Sequence, residues 1–129
     1  NAVTEIRHQV EVMTDEDQTR ECARIAEQND AFRHRRPGGG QGKWVYTTAV
    51  DDKGGQFVAA CMSAVMAYDD FTEENDPYGT HEMGFMEVMG EKVWWKIDLY
   101  NRAYDAGSPA PTSLADTRRV LTILLPSDY

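Results

Sequence analysis

GFMEVMGEKVWWKIDLY, residues 84 to 100, alternates polar and large apolar side chains on both sides of Met89-Gly90. A two-residue loop at that dipeptide makes the stretch a β-hairpin and dictates its register. Val88 then faces Glu91, Glu87 faces Lys92, Phe85 faces Trp94, Gly84 faces Trp95, Met83 faces Lys96 and His81 faces Asp98. Side chains alternate sides along a strand, so this register sorts the hairpin into two faces. Met86, Val88, Val93, Trp95 and Ile97 form a core face. His81, Met83, Phe85, Glu87, Lys92, Trp94, Lys96, Asp98 and Tyr100 form the other, which mixes charge with aromatic rings.

Immediately upstream, FTEENDPYGTHEMG (71 to 84) concentrates the chain's unusual residues. Asp76-Pro77-Tyr78-Gly79 suits a type I turn: Asp opens it, Pro presets the second position and Gly closes it. A turn accounts for Pro77 and Gly79. Asn75 is expected to hydrogen-bond the turn backbone, with Tyr78 packed over it. Before this turn, Phe57, Val58, Ala60, Cys61, Ala64, Val65, Tyr68 and Phe71 recur at helical spacing, predicting a helix from about Gln56 to Asp70. Its other side carries Ala59, Met62, Met66 and Ala67, so it suits the centre of a core, or else an interface such as a homodimer.

Towards the N-terminus, Lys43 to Val50 is rich in β-branched and aromatic residues and reads as a strand, with a turn over Asp51 to Gly55. Thr14-Asp15-Glu16-Asp17 reads as a helix start, an oxygen cap followed by acids that favour the macrodipole. Cys22, Ile25, Ala26, Asn29 and Phe32 follow at helical spacing, interrupted in polarity by Asn29. Arg33, Arg35 and Arg36 suit the last turn, and Pro37-Gly38-Gly39-Gly40 a stop. Residues 1 to 13 read as an extended arm or short strand. Downstream, Asn101 to Asp116 is a Pro/Gly/Ser-rich loop with room for one helical turn near Ser113. Arg118 to Leu125 is a strand, apolar on both faces from Val120, hence central in its sheet. The expected fold is α+β: two helices on a mainly antiparallel sheet of about four strands, in a single domain over residues 1–129.

Composition narrows the function classes. The formal net charge is −9, and residues 69 to 91 hold eight acids (Asp69, Asp70, Glu73, Glu74, Asp76, Glu82, Glu87, Glu91) with no Lys or Arg. Direct nucleic-acid binding needs a basic footprint that this chain lacks. No stretch suits a membrane span or a leader, so cytoplasm is the default compartment. Cys22 and Cys61 have no CxxC partner and read as buried free thiols, joined only if their helices pack side by side. The loop acids lack calcium-loop spacing, and the glycine triplet lacks a phosphate-loop pattern; no metal or cofactor is expected.

NDPYG with His81 and Gly84, then WKIDLY (95 to 100), GSP (107 to 109) and TRRVLTILL (117 to 125), resembles the bacterial family called domain of unknown function 3768 from about Ala31 onwards. That resemblance implies no established activity. It implies a setting among accessory genes of bacteria and their mobile elements, in which an inhibitor of a nucleic-acid-handling machine would be at home.

One cluster has the ingredients of chemistry: His81, Asp98 and Lys96. A histidine oriented by a carboxylate can serve as a general base. The same three residues also make a cross-strand ion pair that pins a hairpin. The leading expectation is a non-enzymatic binding protein acting on a basic, nucleic-acid-binding protein partner through Asp69, Asp70, Glu73, Glu74, Asp76, Tyr78, Glu82, Phe85 and Trp94. The alternatives are a small enzyme built on a His81/Asp98 dyad and a small-molecule binder with a pocket between hairpin and helix.

Overall fold

The structure, a computed structural model, describes residues 14–35 and 41–129. The N-terminal arm and the Gly38-Gly39-Gly40 loop expected from the sequence lie outside the described residues. The elements are α1 (Asp15–His34), β1 (Gly42–Tyr46), α2 (Thr48–Asp51), α3 (Gly55–Ala67), β2 (Met83–Val88), β3 (Glu91–Tyr100) and β4 (Arg118–Leu124), with a 3-10 turn at Pro126–Asp128. The sheet order is β1-β4-β3-β2; β1 runs parallel to β4 and the other pairs are antiparallel. The fold is α+β, as expected, on a mixed sheet that is mostly antiparallel.

The hairpin register agrees with the sequence from Met83↔Lys96 to Val88↔Glu91. Met89 and Gly90 both have positive φ, which matches the turn to the right-handed twist of the strands. One more bond, from Ile97 N–H to Glu82 O (2.7 Å), extends the pairing; then the chain leaves the ladder. His81 adopts a left-handed φ of 54° and therefore does not face Asp98. That part of the expected register is corrected: a strand cannot continue through a residue in this conformation.

Trp95, Val93 and Ile97 are buried together with Leu121 and Ile123 of β4, Val88 of β2, and Phe57, Val58, Cys61 and Val65 of α3. Phe32 of α1 and Val50 of α2 complete this layer between helices and sheet. Cys61 is fully buried, which pushes its thiol pKa up; Cys22 is half-buried, and both are free thiols. β4 is central, between β1 and β3, as its two apolar faces require.

Three boundaries differ from expectation. The strand of Lys43 to Val50 stops at Tyr46, because the Thr47 hydroxyl caps a short helix by accepting from Val50 N–H (3.3 Å). The apolar helix ends at Ala67, and Tyr68 leaves it in an extended conformation while staying buried. Near Ser113 the chain makes turns and no helix. At the start of α1, Thr14 and Asp17 form a reciprocal capping box, and hydrogen bonds from the Thr14 hydroxyl and from Arg20 hold the Asp17 carboxyl below its usual range.

Gly84 is buried, and a Cβ there would enter the indole of Trp95, its cross-strand partner. Gly84→Ala should therefore destabilise the fold by about 1–3 kcal/mol, the usual cost of overpacking. Urea denaturation followed by tryptophan fluorescence checks this; an unchanged midpoint would place Trp95 elsewhere.

Candidate functional site

α1 carries two polar residues on the side that packs into the protein. Asn29 is 0% exposed and Arg33 is 1% exposed. Arg33 Nη1 donates to the carbonyls of Val65 (2.7 Å) and Tyr68 (2.6 Å), at the C-terminal end of α3. Its other Nη donates to Asp30 Oδ1 at 3.0 Å. The guanidinium lies 5.2 Å from the Trp95 ring centre and 5.5 Å from that of Phe71, within cation–π range.

Asp30 faces the other way as well. Its carboxylate lies 2.9 and 3.0 Å from His81 Nδ1, so it bridges a buried arginine and a half-buried histidine. The His81 ring stacks on Phe71 with centroids 3.9 Å apart and planes 1° from parallel. The backbone N–H of His81 donates to both oxygens of Asp76 (3.3 Å each), which fixes its left-handed conformation. Gly79 N–H bonds Asp76 O (3.0 Å), closing the expected Asp-Pro-Tyr-Gly turn. Asn75 bonds backbone ahead of this turn instead of the turn itself, accepting from Thr72 N–H and donating to Asp70 O (2.8 Å each). Tyr78 does not pack over Asn75: it is 76% exposed, at the turn's tip, where Pro77 and Gly79 project it outwards.

Between the first half of α1 and this loop lies an open groove of about 840 Å³. Asp15, Glu21, Glu73 and Asp76 line it, with Phe71, Tyr78 and His81, and among the described residues no Lys or Arg does. Asp15, Glu21, Asp30 and Arg33 were not singled out as site residues by sequence; Asn29 breaking the apolar stripe of α1 was the one signal that this helix face does more than pack.

The other expected site residues are placed apart. Asp98 pairs with Lys96 at 3.0 Å on the sheet face away from the helices, whereas His81 is held by Asp30 of α1. The His81/Asp98 dyad is thus replaced by His81/Asp30. Phe85 and Trp94 meet edge-on at 5.4 Å on that outer sheet face, where Tyr129 contacts Trp94 at 5.5 Å. Neither lines the groove. Asp69, Asp70 and Glu74 are exposed beside it. Glu82 follows His81 at an exposed position, where partial desolvation raises its carboxyl pKa, helped by the charges of Asp76 and Asp98.

Chemically, this arrangement offers charge and hydrogen bonding. Cys22 lines the groove, but the His81 ring is engaged by Asp30 and approached by Asp76 (3.8 Å), so the His–Cys bond that would activate a thiol is not made. Among the described residues, no three His, Cys, Asp or Glu side chains could hold a metal ion. No described helix is long and apolar enough to cross a membrane.

Fold and groove together define a small α+β domain with an acidic cleft between α1 and the 71–81 loop. The chain belongs to the family described as protein of unknown function (DUF3768), whose model matches residues 46–128. No curated protein and no solved structure matches it.

Two outcomes follow from the geometry. Arg33→Lys keeps the charge but loses the fork that serves two carbonyls and Asp30 together; stability should fall by about 2–4 kcal/mol, read from chemical denaturation. Glu82 has a folded pKa raised above 4.5, so its ionisation opposes folding, and that destabilisation develops as pH rises from 4.5 through the folded value. Glu82→Gln should therefore raise Tm at neutral pH, with the gain fading below pH 4.5. A gain independent of pH would assign it to something other than charge.

Proposed function

We propose that this protein is a binding module whose groove receives an Arg- or Lys-rich segment of a protein partner. One observation supports this above the others: Asp15 and Glu21 from α1 meet Glu73 and Asp76 from the 71–81 loop across one groove, with no Lys or Arg among the described residues that line it. Like charges gathered in a concave surface focus the field and attract a cation of opposite sign. Exposed Tyr78 on the rim adds an aromatic face that a guanidinium or ammonium can cover. The partner class that suits such a surface is a basic, nucleic-acid-handling protein, and the action it suits is inhibition by occupying the partner's basic surface. Nucleic acid itself would be repelled.

An oligoarginine peptide is a direct probe. Calorimetric titration should show binding that weakens steeply with added salt, because exposed charge pairs are screened beyond about 8–10 Å. Glu21→Lys with Glu73→Lys should weaken binding at least tenfold, with circular dichroism unchanged, since both side chains lie in the groove wall and not in the core. Binding that survives the double reversal would remove the groove from consideration.

A further inference from the structure

A second pocket has the opposite charge. It lies by the C-terminal half of α1 and measures about 270 Å³. Among the described residues, Gln28, Ala31, Phe32, Arg35, Gln41, Leu114 and Arg119 line it, with two guanidiniums and no carboxylate. Arg119 is only 3% exposed. Its Nε donates to Asn29 Oδ1 (2.8 Å) and one Nη to Gln28 Oε1 (3.2 Å). Both acceptors are neutral amides whose own nitrogens are spent elsewhere, Asn29 on Thr80 O and Gln28 on Thr112 O (2.9 Å each).

A buried cation ordinarily has an anionic partner, because neutral dipoles replace only part of its hydration. Arg33 follows that rule through Asp30. Arg119 does not: among the described residues it forms no salt bridge, and burial lowers its pKa to about 10. We propose that this pocket binds a small organic carboxylate, whose charged end pairs with Arg119 and Arg35 and whose apolar body rests on Ala31, Phe32 and Leu114. A guanidinium fork matches a carboxylate in two parallel hydrogen bonds. The apolar part of the lining favours this class over inorganic phosphate, which has no apolar body to bury. The volume, just below the ~300–1,000 Å³ of drug-sized sites, limits the ligand to a compact one.

Sodium benzoate is a suitable probe, titrated at constant ionic strength into the isotope-labelled full chain and read by NMR. Saturable shifts are expected at the Arg119 Nε–H, the Gln28 side-chain amide and the Leu114 backbone. Arg35→Ala, at an exposed position, should weaken binding about tenfold while leaving other resonances in place, the loss of one charge-assisted contact. Arg119→Gln should abolish binding; if that variant fails to fold, Arg35→Ala decides alone. Shifts confined to other surfaces, unchanged affinity in Arg35→Ala, or a response to inorganic phosphate with none to benzoate would each overturn the assignment.

Discussion

The guanidinium of Arg33 closes the end of another helix. α3 has no basic residue in its last turn; Val65 O there accepts the Tyr68 N–H at 3.3 Å, and the Tyr68 carbonyl just beyond is buried. A buried carbonyl left unpaired costs on the order of 1–3 kcal/mol. Arg33 reaches across from α1 to both Val65 O and Tyr68 O, and so ties α1 to α3 at one point. Desolvating a guanidinium is itself costly, and the offset comes from several directions: two carbonyls, the Asp30 carboxylate and two aromatic faces. Lysine could not serve all of these at once. Among the described residues, Arg33 Nε and Trp95 Nε1 find no partner, so the compensation there is incomplete.

From that point the candidate site is assembled in sequence. Arg33 orients Asp30; Asp30 holds the ring of His81; His81 stacks on Phe71, which also flanks Arg33. Asp76 takes the His81 backbone N–H and sets the shape of the NDPYG loop. The groove is therefore a consequence of how α1 and α3 are joined, and its lip is held by hydrogen bonds more than by apolar packing. One position earlier on α1, Asn29 links Thr80 to Arg119, carrying the same polar seam to β4 and the second pocket.

Much of the sheet was legible in the sequence because strand alternation is a strict period, and Met89-Gly90 left few alternatives for the turn. Trp95 inward and Trp94 outward followed from that alone, and the order of charges at Thr14-Asp15-Glu16-Asp17 located the start of α1. The site was less legible for a physical reason. An arginine in a last turn has a sufficient local explanation in the helix dipole, so nothing near Arg33 in the chain signals a partner more than thirty residues away. His81 looked like a strand residue because it continues the alternation of Met83, Phe85 and Glu87; the left-handed backbone that removes it from the strand depends on Asp76, which no periodicity records. Tyr68 misled in the opposite sense: its place on the apolar stripe extended the helix, although the residue is buried by folding back after the helix has ended.

α1 also changes how the family assignment bears on the site. The matched stretch, residues 46–128, contains the NDPYG loop, the hairpin, α3 and β4, and thus His81, Asp76 and Arg119. Asp30, which holds the His81 ring, and Asn29 and Gln28, which accept from Arg119, all come from α1, ahead of that stretch. Neither pocket exists without this helix: Asp15 and Glu21 wall the acidic groove, while Ala31, Phe32 and Arg35 wall the basic pocket. The two halves of one helix thus face sites of opposite charge, separated by the buried seam of Asn29 and Arg33. Because that seam is made of directed hydrogen bonds to specific carbonyls and amides, a rotation of α1 about its axis would break all of them together, whereas an apolar stripe could repack. The polar seam is what gives the helix one register, and one register is what keeps both pockets in place.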